Sequence, residues 1–430
     1  MRYYAVVDCD NCYVSCERVF RPDLKHAVVV VLSNNDGCVV ARSNEAKQLG
    51  VKAGTPYYQL ASLFPQAKIA VFSSNYELYG EMTARVMSLI RKAAPQCFRY
   101  SIDEAFCVLD GMERVDLKQW GEQLHQQILR CTGMPVSIGI APNKTLAKMA
   151  SHFAKHYAGY RHCCLIDTKE KRGKALRLYP LKEVWGIGRR LAARFQALGM
   201  ETAWDFAKQQ LGGGNVVLER TWRELNGEDC VPNEGMARKK TICTSRSFNG
   251  MISDVGELAT HVANFAARGA EKLRRQGSVA AVVGVFIETN PFREDLPQYW
   301  NSCDETLLTP TDATATIVET ARRCLDRVFL PGYHYKRAGV LLMGIAPASG
   351  IQTNFLDFDA ERFQKLKSLD AIVDRINKQN GTETVVLAAQ QYRPRKPGGR
   401  AKAEVFANVI RHDFRSKNPT TRWCDIVQLK

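Results

Sequence analysis

Along residues 1–140 the apolar pattern changes period in a set order, and that order restricts the possible folds more than any other feature. Residues 3–7 form an apolar run that ends at Asp8 and reads as a strand. Ser74-Asn75-Tyr76-Glu77 reads as a capping box opening a helix, on which Leu78, Met82, Val86 and Leu89 recur at helical spacing. The short runs 97–100 and 105–109 read as two strands of a hairpin, with Asp103 and Glu104 at or near its turn. A second helix is predicted over 116–131, with Trp120, Leu124 and Ile128 on one face, followed by a strand at 136–140. Strand, helix, two strands, helix, strand is the order of a split βαβ, ferredoxin-like sheet. Residues 21–73 read as a small insertion with a strand of its own at 27–32. A helix starting at Pro142-Asn143-Lys144-Thr145 carries Lys148 and Lys155, seven apart and therefore on one face.

With 430 residues the chain exceeds what one core usually holds. Residues 161–235 read as basic and helical. After a linker near 232–240, residues 241–345 read as an α+β domain, with β runs at 241–248, 279–289 and 338–345 and helices at 257–275 and 312–329. From 346 to 430 the pattern weakens into a tail, with a flexible basic stretch at 394–400. The expected class is α+β and multidomain.

The formal net charge is +16, and it is unevenly spread. Residues 161–200 hold ten basic side chains against three acidic ones, and residues 390–430 again hold ten against three. Two such blocks favour a polyanion and make nucleic acid the leading partner. No apolar run is long enough to span a bilayer, and the amino terminus soon meets Asp8 and Asp10, unlike a signal peptide. The expectation is a cytoplasmic protein with no membrane partner. The fourteen cysteines read as small buried hydrophobes in a reducing compartment. Cys9, Cys12 and Cys16 lack the second matching pair of a structural zinc site.

Asp8, Asp103 and Glu104 carry the chemistry. Carboxylates crowded together repel unless a cation neutralises them, and hard divalent ions such as Mg²⁺ accept carboxylates together with phosphate oxygens. The pattern reads either as an acidic turn on a solvated hairpin or as a site of metal-dependent phosphoryl transfer, in which two ions bridged by carboxylates activate an attacking hydroxyl. Asp10 reads as a helix N-cap. Lys47, in Asn44-Glu45-Ala46-Lys47, and Lys155 read either as solvated surface charges or, beside such metals, as a grip on a triphosphate. Val184-Trp185-Gly186-Ile187-Gly188-Arg189-Arg190 reads as a helix-hairpin-helix. The glycines Gly186 and Gly188 let backbone amides approach a phosphate, with Arg189 and Arg190 beside them, and such contacts hold a nucleic-acid backbone without reading its sequence.

Taken together, residues 8–17, 30–37, 72–76, 100–106, 144–148, 184–190, 217–221 and 243–248 resemble the motifs of Y-family translesion DNA polymerases, and within that family its UmuC group. The resemblance implies a palm (1–20 and 74–160), fingers (21–73), a helix-hairpin-helix thumb (161–235), a little finger (241–345) and a C-terminal tail (346–430). It implies that Asp8, Asp103 and Glu104, with the Cys9 carbonyl, hold two Mg²⁺ ions. It makes Tyr13 the steric gate against a ribose 2′-hydroxyl, and Lys47 and Lys155 the grip on the incoming triphosphate. Cys12 stands where an aromatic residue often precedes the gate. Many members have Tyr-x-x-Arg at 44–47; Lys47 keeps the charge but not a bidentate grip. Asp10 stands where the UmuC group has Asn. Gln352-Thr353-Asn354-Phe355-Leu356 is similar to a sliding-clamp peptide, with Gln352 as hydrogen-bonding group and Phe355 and Leu356 as pocket-filling residues. The implied activity is error-prone addition of deoxynucleotides to a primer opposite damaged template, in an SOS-type response. The implied partners are primer–template DNA, dNTPs, a UmuD′-like accessory dimer, the sliding clamp and a recombinase filament. A nucleotide cyclase would share the sheet and the acids but not the helix-hairpin-helix or the basic β-rich region. A non-catalytic DNA-binding scaffold would not need the acid triad.

Overall fold

The computed structural model describes residues 2–209, 215–233, 239–350, 359–381, 383–391 and 412–426. The chain forms two compact units, one of residues 1–237 with 411–430 and one of residues 238–410.

In the first unit the elements run β1 (Tyr4–Cys9), α1 (Cys12–Phe20), β2 (Val28–Leu32), β3 (Val39–Arg42), α2 (Asn44–Gln48), α3 (Tyr57–Leu63), β4 (Ile69–Ser73), α4 (Tyr76–Ala93), β5 (Gln96–Arg99) and β6 (Glu104–Val108). They continue with α5 (Leu117–Thr132), β7 (Val136–Ala141), α6 (Lys144–His156), β8 (Cys163–Leu165), α7 (Lys169–Leu178), α8 (Arg189–Gln196), α9 (Ala203–Ala207) and α10 (Val216–Leu225). The main sheet has the order β5-β6-β1-β7-β8. Without β8, that is the ferredoxin-like order expected from the periodicity, with β1 antiparallel to both β6 and β7. Strand β1 is apolar from Tyr4 to Val7, as suits a strand covered on both faces, and Asp8 breaks that run near its end. Ala5, Val7 and Cys9 join the core beneath α1, α4 and α5, whereas Tyr4 and Val6 join the core beneath α6 and the helices after it.

Helix α6 lies directly on β7, and Gly139 is what permits it. A Cβ there would stand 2.0 Å from the Ser151 amide nitrogen and 2.2 Å from the Ala147 carbonyl oxygen. Backbone on that side cannot rotate away as a side chain can, so Gly139→Ala is expected to cost about 3 kcal/mol or more. Urea unfolding checks this, and a loss below about 1 kcal/mol would mean that α6 re-seats freely. Glu224, buried on α10, accepts a hydrogen bond from the Thr145 amide at 2.8 Å and so ties the helical region to the start of α6.

Residues 21–73 build a three-stranded sheet in the order β3-β2-β4, packed around Val30, Leu32, Val39, Ala46, Val51 and Leu60. The predicted capping box at 74–77 is displaced by one residue. Asn75 caps α4 by accepting from the Leu78 amide, and Glu77 turns instead to Arg415, Asn418 and Arg422. Asn caps a helix as well as Ser does, and the distant arginines offer Glu77 charged donors that a local box lacks.

The second unit holds β9 (Ile242–Ile252), α11 (Val255–Gln276), β10 (Ser278–Thr289), β11 (Trp300–Thr311), α12 (Thr314–Val328), β12 (Tyr335–Met343) and α13 (Ala360–Asn380). Its antiparallel sheet has the order β11-β10-β12-β9, with α11 and α12 against it. Two elements had no clear sequence signal. Strand β11 is an edge strand whose residues alternate between exposed and half-buried, so it shows no apolar face. Helix α13 lies where the sequence reads as tail, and Asp370 is its one buried residue among those described. The clamp-like peptide at Gln352, Phe355 and Leu356 falls outside the described residues.

Candidate active site

Sheet register brings the acids together. Asp8, late in β1, pairs directly with Glu104 at the start of β6, and the Cys9 amide donates to the Asp103 carbonyl at 2.9 Å. Glu104 thus opens the strand rather than sitting in the turn. Asp8 is largely withdrawn from water, which lifts its carboxyl to about 6; Lys155 opposes that rise, and the nearby charges of Glu104 and Asp10 add to it.

Each acid has a partner, and for Asp8, Asp10 and Glu104 it is a lysine on α6. The Lys155 ammonium, on α6, donates to Asp8 at 3.0 Å and lies 3.5 Å from Asp10. Lys148, two turns earlier on the same face, donates to both Glu104 oxygens at 2.7 and 2.8 Å. It also sits 4.3 Å above the Tyr100 ring and 5.3 Å from that of Trp185. The Ser101 hydroxyl donates to Asp103. Among the described residues, no group of three or more His, Cys, Asp or Glu is arranged around one point as a metal cage. The donor chemistry fits a hard divalent cation: carboxylate oxygens of neighbouring acids in a partly dry site, with the Asp8 carboxyl raised mainly by burial and further by the charges of Glu104 and Asp10.

Asp10 is not an N-cap. Asn11 precedes α1 in the left-handed region at φ 46°, with no capping side chain. Asp10 instead accepts from the Ser137 hydroxyl at 2.9 and 3.0 Å and helps hold Lys155. The strand β7 that supplies Ser137 lies beside β1, so a sheet neighbour takes the group that local sequence assigns to a helix end.

Lys47 reaches from α2 to Asn11, donating at 2.6 Å. Burial lowers its pKa, and the charge of Lys155 lowers it further. Two ammonium groups near enough to repel are disposed to accept an anion between them. Beside them Tyr13, on α1, stacks on Tyr79 with centroids 4.5 Å apart and meets Tyr76 edge-on at 5.8 Å. Cys12 is buried in the core beneath the sheet. The Tyr79 hydroxyl donates to Glu17 at 2.7 Å.

Burial raises the Glu17 carboxyl to about 7, although hydrogen bonds from Tyr79 and Ser416 and the charge of Arg21 pull it down. Between about 4.5 and 7 the folded chain keeps a proton that the unfolded chain releases. Stability is therefore expected to fall by about 3 kcal/mol as pH rises through that window, and to level off above it. Urea unfolding from pH 4.5 to 8 should show this slope in the wild type and a flatter profile in Glu17→Gln; equal slopes would remove Glu17 as the source.

The helix-hairpin-helix stands beside the acidic hairpin, since the Trp185 indole donates to the Tyr100 hydroxyl at 3.1 Å. Gly186 has φ 94°, and a Cβ there would meet the Thr221 hydroxyl at 2.4 Å. Gly188 precedes α8, where Arg189 and Arg190 are exposed. Sequence reasoning placed Lys148 on the face of Lys155 but gave it no role. It passed over Ser101, Ser137, Glu17 and Tyr79, whose partners are set by strand register and helix packing rather than by any motif.

Models described as the impB/mucB/samB family and its C-terminal domain match residues 7–152 and 239–355, and a domain of unknown function matches residues 367–429. The Protein UmuC of Salmonella typhimurium is 39% identical over 99% of this chain and 100% of its own length. The Protein SamB of Salmonella typhimurium is 37% identical over 99% of each chain. Among solved structures, a Y-family DNA polymerase chimera of Dbh and Dpo4 superposes with a TM-score of 0.66 at 22% identity, covering 80% of this chain and 99% of the chimera. A ferredoxin-like sheet with paired acids on β1 and β6, and relatives matching from end to end, lead to one assignment: the chain belongs to the impB/mucB/samB family, the UmuC-like Y-family DNA polymerases.

Proposed function

We propose that this chain carries out template-directed, Mg²⁺-dependent addition of deoxynucleotides to a primer 3′ end opposite damaged template bases. The observation that carries this reading is the pairing of Asp8 with Glu104 across β1 and β6, with Asp103 beside them and Lys155 and Lys47 at the same end of the sheet. In this reading 1–20 and 74–160 are the palm, 21–73 the fingers, 161–235 the thumb and 241–345 the little finger.

Asp8, Asp103, Glu104 and the Cys9 carbonyl would hold two Mg²⁺ ions. When bound, these supply charge neutralisation at the triphosphate and at the departing pyrophosphate. The primer 3′-hydroxyl gives up its proton to solvent as its oxygen bonds to the α-phosphorus, and the bond from that phosphorus to the α–β bridging oxygen breaks to release pyrophosphate. Lys155 moves from Asp8 to the phosphate chain, and Lys47 joins it from α2. Tyr13 lies under the sugar and leaves no room for a 2′-oxygen. The Gly186 and Gly188 backbone, with Arg189 and Arg190, holds the DNA backbone. The resemblance adds a UmuD′-like dimer, a sliding clamp met by Gln352, Phe355 and Leu356, and a recombinase filament. No described helix is long and apolar enough to cross a membrane.

Primer extension on undamaged and abasic templates, with and without UmuD′-like and recombinase proteins, tests the reading. Extension by the wild type and not by Asp103→Ala/Glu104→Ala is expected. No extension by either protein in any arm, with DNA binding kept by both, would leave a DNA-binding scaffold in its place.

A further inference from the structure

Residues 412–426 lie in the part of the chain matched as a domain of unknown function, yet they pack within the first unit, behind the tyrosine proposed as the gate. The segment first joins the small sheet. The Phe414 amide donates to the Ser73 hydroxyl at 2.9 Å, and the Ser73 amide donates back to the Phe414 carbonyl at 3.1 Å. The Phe414 ring meets Tyr57 with centroids 5.2 Å apart, and the Asp413 amide donates to Asp36 at 2.8 Å. It then crosses the point where β4 passes into α4. Asn75, wholly buried, donates to Asn418 at 2.6 Å and to the Ser416 hydroxyl at 3.0 Å. Beyond that, Glu77 gathers Arg415, Asn418 and Arg422.

One contact leads to the site. The Ser416 hydroxyl donates at 3.0 Å to the same Glu17 oxygen that accepts from the Tyr79 hydroxyl at 2.7 Å. Glu17 is 2% exposed and Tyr79 wholly buried, so this hydrogen-bonded pair lies away from bulk water. Tyr79 in turn carries the Tyr13 ring on its face at 4.5 Å. A stacked pair resists separation but slides easily in its own plane, and hydrogen bonding at the far end of the supporting ring is what removes that freedom. A buried carboxylate stripped of one of its two donors holds the other less well placed.

The geometry points to Ser416 as a positioning residue for the sugar gate, acting through Glu17 and Tyr79, so that the C-terminal segment completes the nucleotide pocket from behind. This rests on the reading of Tyr13 as the gate.

The test measures kcat/KM for a ribonucleotide relative to its deoxynucleotide, using the full chain in whichever assembly extends a primer. Ser416→Ala and Tyr79→Phe should each raise relative ribonucleotide use by about 3- to 10-fold, with deoxynucleotide kcat/KM within about twofold of wild type. Ser416→Thr, which keeps the hydroxyl, should restore the wild-type ratio. Arg422→Ala loosens the segment at Glu77 without touching Glu17, and should lower Tm slightly while leaving the ratio unchanged. In a Tyr13→Ala background, Ser416→Ala should add nothing. A ratio unmoved in both Ser416→Ala and Tyr79→Phe, while Tyr13→Ala raises it, overturns the inference and leaves the gate standing. A ratio that follows Tm in all variants, Arg422→Ala included, overturns it in favour of a general loss of rigidity. A ratio unmoved by Tyr13→Ala itself removes the gate reading, and the inference with it.

Discussion

Glu104→Gln and Asp8→Asn are each expected to slow nucleotide addition by about 10³-fold or more, since each removes a full negative charge from a partly dry site that must concentrate positive charge at phosphate. Both variants keep shape and hydrogen-bonding reach, so the loss reports charge rather than packing. The two should differ in stability. Asp8 is held near 6 by burial, so its neutral amide removes an unfavourable charge and should fold at least as well as wild type. Glu104 accepts two hydrogen bonds from Lys148, a lysine that also lies over Tyr100 and Trp185, so Glu104→Gln leaves a partly buried ammonium without its counter-charge. Single-turnover extension with urea unfolding on the same samples checks both claims. Rates within about tenfold of wild type for both variants would contradict a metal role for the pair.

Tyr13→Ala is expected to raise relative ribonucleotide incorporation by about 10²-fold while changing deoxynucleotide use far less. The reason is steric. Tyr13 is packed face-on against Tyr79 and edge-on against Tyr76, which hold its ring in the sugar space. Removing the ring opens that space and leaves the carboxylates and lysines in place. Competition between dATP and ATP opposite template thymine measures the effect, and an unchanged ratio would place the sugar elsewhere.

Much of this was legible in the chain. The order of periodicities along 1–140 determined a ferredoxin-like sheet, because strands and helices must each bury an apolar face and few arrangements of that order can do so. Acids at the end of one strand and beside a hairpin were visible because a carboxylate breaks an apolar run. The glycines of the hairpin at 184–190, the basic helical stretch after the sheet and the seven-residue spacing of Lys148 and Lys155 were visible as local patterns. Local pattern failed where a distant partner outbid a near one. Asp10 went to Ser137 and Lys155, Glu77 to Arg415 and Arg422, and the cap of α4 passed to Asn75.

By itself, then, the sequence determined the class of the sheet, the three acids that strand pairing brings together and the basic character of residues 161–200. These follow from period, charge and spacing within a few dozen residues. Tertiary structure decided which acid faces which, through the register of β1 on β6, and which lysine holds which acid, through the seating of α6 on Gly139. It alone decided that residues 412–426 return across 341 positions to Ser73, where hydrogen bonds and an aromatic contact set them behind Tyr13. No periodicity encodes such a return, because its donors and acceptors are ordinary polar residues until the fold brings them into reach.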